Sequence, residues 1–84
     1  MTAERGTVVR QHYYGVSVRL PSGEVGLVDQ SYLPGAPVPP EDWPAVGDEL
    51  LVVRLGHTPQ GQLRLSGRPE DVARAARGGA PSGP

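Results

Sequence analysis

Apolar and polar side chains alternate with a period of two along much of the chain, the spacing of a strand with one buried and one wet face. The clearest stretch sets Val16, Val18 and Leu20 against Ser17 and Arg19. Ahead of it, residues 6–14 carry the strand formers Thr7, Val8, Val9, Tyr13 and Tyr14, and Gly15 punctuates the run as a bulge or sharp bend does. A first strand therefore ends at Gly15, with Tyr13 on the core parity and Tyr14 on the opposite one.

Pro21-Ser22-Gly23 has turn chemistry, because proline presets φ and glycine accepts φ > 0, and residues 24–28 resume an extended run behind it. Between Leu33 and Val46 the five prolines 34, 37, 39, 40 and 44 remove the backbone donors a sheet needs. That stretch predicts a surface connection with some polyproline character, pinned to the body of the protein by Trp43. Residues 48–55 read as a fourth strand. Thr58-Pro59-Gln60-Gly61 then turns the chain into a fifth at 62–66, where Leu63 and Leu65 alternate with Arg64. Pro69 at a helix start, Glu70 and Asp71 in its first turn and Gly78 beyond its end outline a helix over 69–77, with Val72, Ala75 and Ala76 on one side. A helix this short needs tertiary support. Residues 78–84 are almost all Gly, Ala, Ser and Pro, which predicts a disordered tail. The expectation is an all-β domain over 5–68, a small Greek-key barrel of the OB or SH3-like kind, followed by the helix and the tail.

Composition narrows the function classes. With 84 residues and 37% apolar side chains, the chain supports one small core. There is no cysteine, so neither disulfides nor thiolate metal sites are available. No basic region followed by an apolar run opens the sequence, and no stretch nears the roughly 20 apolar residues that span a bilayer, so a cytoplasmic location and no membrane contact are expected. A net charge of −1 shows no basic excess for holding nucleic acid by charge alone. All eight basic residues are arginine. Catalysis finds no foothold either: there is no lysine, no cysteine nucleophile and no serine in a Gly-x-Ser-x-Gly setting, so no enzyme and no cofactor is expected.

Five blocks stand in one order: Gly6-Thr7-Val8-Val9, Tyr14-Gly15-Val16-Ser17-Val18, Gly26-Leu27-Val28-Asp29-Gln30-Ser31, Val46-Gly47-Asp48-Glu49-Leu50 and Leu63-Arg64-Leu65-Ser66. In that order and spacing the chain resembles an S1 RNA-binding domain over residues 6–66. The resemblance implies a five-stranded OB barrel that binds single-stranded RNA on an exposed face of aromatic, histidine and basic side chains, with base stacking supplying much of the grip. Tyr14 matches the aromatic position before the glycine and is the first candidate base platform.

The other contact positions depart from that pattern. Ser17 stands where a second aromatic is usual, and Asp29 replaces a frequent histidine, putting negative charge where phosphate or a base approaches. Thr58 and Gln62 stand where the family often has an aspartate and a basic residue. Arg19 and Arg64 have outward parity and are candidate RNA contacts, with Arg10 a further one. Arg54 falls where the register calls for an inward apolar residue, while Leu51 and Val53 fall outward. Either a one-residue shift, a covering helix or a partner protein would resolve that inversion.

Plainer readings apply elsewhere. Tyr32 and Trp43 anchor the proline-rich loop, and His12 and His57, isolated and without ligand spacing, are exposed strand or turn residues rather than metal ligands. The resulting expectation is a nucleic-acid-binding module that holds single-stranded RNA weakly and with little sequence preference. The competing expectation is an OB-fold protein-interaction module or homodimer that presents Leu51 and Val53.

Overall fold

A computed structural model describes residues 2–76. Five strands, β1 (Glu4–His12), β2 (Gly15–Arg19), β3 (Val25–Asp29), β4 (Glu49–His57) and β5 (Leu63–Ser66), precede one helix, α1 (Pro69–Ala76). They close into a barrel in the order β1-β2-β3-β5-β4, with β4 returning to β1. Of the pairings, β3 with β5 is parallel and the rest are antiparallel. This is the OB topology, a Greek key with one long connection, and its closure leaves no sheet edge open. The expected tail, residues 78–84, and the last residue of the expected helix, 77, lie outside the described residues. No helix among the described residues is long and apolar enough to cross a membrane.

The inward row across the barrel runs Val8, Val18, Gly26, Leu63, and the next runs Val16, Val28, Leu65, each residue directly opposite its neighbour. All of these side chains are buried, and Leu20, Leu33, Trp43 and Val52 complete the core. Trp43 pins the proline-rich connection as the sequence predicts. Its ring packs into the core while its indole N–H donates to the Val38 carbonyl at 2.8 Å, which satisfies the polar end.

Two expectations need correction. The first strand stops at His12, and Tyr13-Tyr14 form a two-residue turn that joins it to β2 through the His12–Gly15 pair. That turn lacks the Asn-Gly or Asp-Gly chemistry that usually marks a short hairpin, so its aromatic residues read as strand. Tyr13, expected in the core, is therefore 91% exposed. The second correction concerns Val53, expected to face a partner: it is 2% exposed. Its parity is outward, but α1 lies against β4 and covers it, with Ala75 buried on the helix side. Arg54 keeps the inward parity that the sequence assigned to it, at the barrel's end. Its guanidinium meets Glu4 at 2.7 Å and Glu24 at 2.7 Å, closing β1, β4 and the β2–β3 turn together. The pair with Arg54 holds the Glu24 carboxyl below the usual carboxylate range, and Glu4 and Glu24 in turn raise the arginine. A β-bulge between Arg54 and Gly56 follows at once, so the register shift that the inversion hinted at begins just beyond the arginine.

The helix is held by a buried carboxylate that the sequence pattern did not single out. Asp71, in the first turn of α1, accepts from Ser66 Oγ at 2.6 Å and from Arg68 Nε at 3.0 Å, and it pairs with Arg74 at 3.3 Å. Arg68 also lies over the Tyr32 ring, 4.8 Å from its centroid. The Ser66 hydrogen bond, followed by the Arg68 one, keeps the Asp71 carboxyl below its ordinary value of 3.8. A carboxyl depressed in the folded state stabilises fully above the unfolded value and loses that contribution as pH falls through the folded one. Asp71→Asn is therefore expected to lower unfolding free energy by about 1 to 3 kcal/mol at neutral pH. In urea titrations the native chain should lose this increment on acidification below 3.8, and the variant should not. An unchanged acid slope in the variant would show that the latch contributes nothing.

Candidate nucleic-acid interface

Residues directly opposite one another in a ladder share a face. Arg10 opposes Ser17, Ser17 opposes Leu27, and Leu27 opposes Arg64, so these four form one outward row over β1, β2, β3 and β5. Arg10 and Arg64 stand three strand spacings apart, roughly 14 Å along the curved surface. Arg19 lies two residues from Ser17 on the same face, in the row that joins Thr7 and Val25. At the other end, His12, Gly15 and Asp29 form the matching row beside the Tyr13-Tyr14 turn.

The arginines divide into two kinds. Arg5, Arg54, Arg68 and Arg74 each pair with a carboxylate. Arg10, Arg19 and Arg64 make no ion pair among the described residues, and these are the three that the sequence nominated. Arg64 Nε is also buried without a hydrogen-bond partner. An unpaired buried donor is unfavourable, and nothing among the described residues offsets it.

The aromatic end is a ladder of three rings. His12 and Tyr14 stack with centroids 4.9 Å apart and planes 8° from parallel, and Tyr13 meets Tyr14 edge-on at 5.0 Å. His12 Nε2 lies 2.8 Å from Ser17 Oγ, tying the ladder to the arginine row. Tyr14 is 36% exposed with one ring neighbour already in place, whereas Tyr13 is almost wholly open to solvent. The sequence pointed to Tyr14 and missed both His12 and Tyr13. The missed signal was the two-residue turn, since a strand that ends at His12 places that histidine outward beside Gly15.

The remaining departures have separate places. Asp29 sits at the rim and caps the short 3-10 turn Gln30–Tyr32, its Oδ2 accepting from Ser31 N at 3.1 Å and Ser31 Oγ at 2.7 Å. Thr58 and Gln62 close the β4–β5 turn on each other, Gln62 N donating to Thr58 Oγ1 at 3.1 Å and Thr58 N to the Gln62 carbonyl at 2.9 Å. The nominated Arg10, Ser17 and Arg64 thus lie in one outward row that crosses β1, β2, β3 and β5, with Arg19 two residues along β2, Asp29 and Tyr14 at the other end, and Thr58 and Gln62 taken up in a turn. Leu51, 46% exposed, lies on β4, which that row does not cross.

No protein-family model and no curated protein matches the chain. Among solved structures, the barrel is similar to uncharacterized protein MJ1198 from Methanocaldococcus jannaschii, at 23% identity and a TM-score of 0.64 over 81% of this chain and 89% of that one. It is also similar to the intact alpha subunit of aIF2 from Pyrococcus abyssi, at 22% identity and a TM-score of 0.69 over 90% of this chain and 31% of that one. The chain therefore spans about a third of the aIF2 subunit. At these identities the likeness is one of fold, a small OB barrel.

Proposed function

We propose that this barrel is an S1-like module that binds single-stranded RNA weakly and with little sequence preference, and that it does so without catalysing a reaction. The observation that supports the reading is that the three arginines without an ion pair among the described residues lie in outward rows of β1, β2 and β5, on a barrel that also carries an exposed ring ladder at its β1–β2 turn. Guanidinium groups offer planar donors to phosphate oxygens and flat surfaces to bases, and aromatic rings stack on any base. A single strand running from the Tyr13-Tyr14 turn along β2 meets rings first and then Arg10, Arg64 and Arg19. The five sequence blocks that resemble S1 domains and the fold-level likeness to the aIF2 alpha subunit support the same reading.

Titration of a short, unstructured labelled RNA at low salt tests it by fluorescence anisotropy. Three neutralised phosphates predict a log-log salt slope of about −2. Tyr13→Ala and Tyr14→Ala are each expected to weaken binding by about 1 to 3 kcal/mol, the range for one lost base stack. Because Tyr13 is exposed, its replacement should leave the melting temperature unchanged. Absence of binding at low salt would exclude RNA as the ligand, and full affinity in the double alanine variant would exclude the two tyrosines as its stacking platform. The competing role as a protein-interaction module through Leu51 and Val53 has lost half its surface to α1.

A further inference from the structure

The rim beside the ring ladder is built to take one base with hydrogen-bond donors on its edge. Asp29 opposes Gly15, which is buried, carries no side chain and itself opposes His12, so no side chain stands between the histidine and the carboxylate in that row. The Gln30 N–H donates to the Tyr14 carbonyl at 2.8 Å, fixing this rim to the aromatic turn. Next to it lies a shallow cavity of about 420 Å³, with Asp29, Gln30 and Ser31 on its polar side and Ala36, Pro37 and Val38 on its apolar side. A nucleobase has that same division, with apolar faces and a polar edge.

The carboxylate is both fixed and free. Both bonds from Ser31 go to Oδ2, whereas Oδ1 accepts no hydrogen bond and Asp29 has no ion pair among the described residues. A phosphate would be repelled here, so the group that fits must donate. Guanine presents two adjacent donors, N1–H and the N2 amino group, beside the O6 acceptor, which the Gln30 side-chain amide can reach as a donor. Adenine and cytosine offer a single amino donor. Uracil offers one N–H flanked by two carbonyl oxygens that a carboxylate repels.

We infer that the cavity beside Asp29 is a guanine subsite, with Asp29 Oδ1 accepting from the Watson–Crick edge and Gln30 donating to O6. The inference rests on the RNA-binding reading and adds a single position of preference to a grip that is otherwise indifferent to sequence.

The test compares an oligouridylate of about 12 nucleotides, a length within the range one OB barrel covers, with the same strand carrying one central guanosine. The native chain is expected to bind the guanosine strand about tenfold more tightly, the scale of one well-placed pair of base hydrogen bonds. Asp29→Asn keeps a capping side chain, so the rim stays folded. It should bring the ratio of affinities to about one while affinity for the oligouridylate holds or rises as a negative charge is lost. Equal, measurable binding of both strands by the native chain would overturn the guanine subsite alone, as would a preference that survives Asp29→Asn. Failure of both strands to bind would overturn the RNA reading and this inference with it.

Discussion

Replacing Arg10, Arg19 and Arg64 together by serine should weaken RNA binding on the order of several hundredfold at roughly 50 mM salt and flatten the salt slope from about −2 to near zero. The magnitude follows from counterion release. Each neutralised phosphate contributes about 0.7 to the slope, and the benefit grows as salt is diluted below the molar range. These three guanidinium groups are the ones without carboxylate partners among the described residues, so their charge is available to a ligand. Arg5→Ser combined with Arg74→Ser is the control for net charge, because both side chains already face acids: Arg5 beside Glu49 at 3.7 Å and Arg74 beside Asp71. That control should change the slope far less. The triple variant should also remain folded, since the buried Arg64 nitrogen has no partner to lose. Equal effects of the triple variant and the control would mean that the face has no special role.

The largest effect on stability is expected from Gly15→Ala. A Cβ at this position would collide with the Val28 carbonyl oxygen and lie 3.0 Å from Asp29 Cα, both on the neighbouring strand. Backbone atoms cannot rotate away as a side chain does, so relief requires opening the β2–β3 ladder at the Gly15–Asp29 pair. A loss of about 3 kcal/mol or more in urea unfolding is the expected outcome, at the upper end of overpacking. Gly26→Ala supplies the comparison: its Cβ would lie 2.7 Å from Leu65 side-chain atoms, which can change rotamer. Gly26→Ala should therefore cost less. The reverse order would refute the role given to the bare backbone at Gly15. The same collision would push Asp29 and the Tyr13-Tyr14 turn apart, so RNA binding should fall along with stability.

The sequence pattern located the strands well because period-two alternation is a local property. Val16, Val18 and Leu20 are all buried, and Arg19 is exposed as its parity requires. It failed at Tyr13 because the β1–β2 turn uses aromatic residues instead of the usual turn chemistry, so a residue read as the core end of a strand lies in an exposed turn. Alternation pointed correctly to something unusual in β4, where Leu51 and Val53 face out, but whether the cover was a helix or a partner depended on where α1 came to rest. The Asp71 latch was hidden for a similar reason. An aspartate in the first turn of a helix reads as a favourable charge at an N-terminus, and only the approach of Ser66 and Arg68 makes it a buried anchor.

By itself, the amino-acid sequence determined the five extended segments, all but the first of their turns, the short helix and the inward or outward parity of most side chains, since each depends on neighbours a few residues away. The tertiary structure alone decided which arginines are free. Arg54 finds its acids 50 and 30 residues away, at Glu4 and Glu24, through barrel closure, and no such approach neutralises Arg10, Arg19 or Arg64 among the described residues. Pairing of charges depends on distances across strands that only the closed register sets, and so the candidate surface became visible only once the barrel had formed.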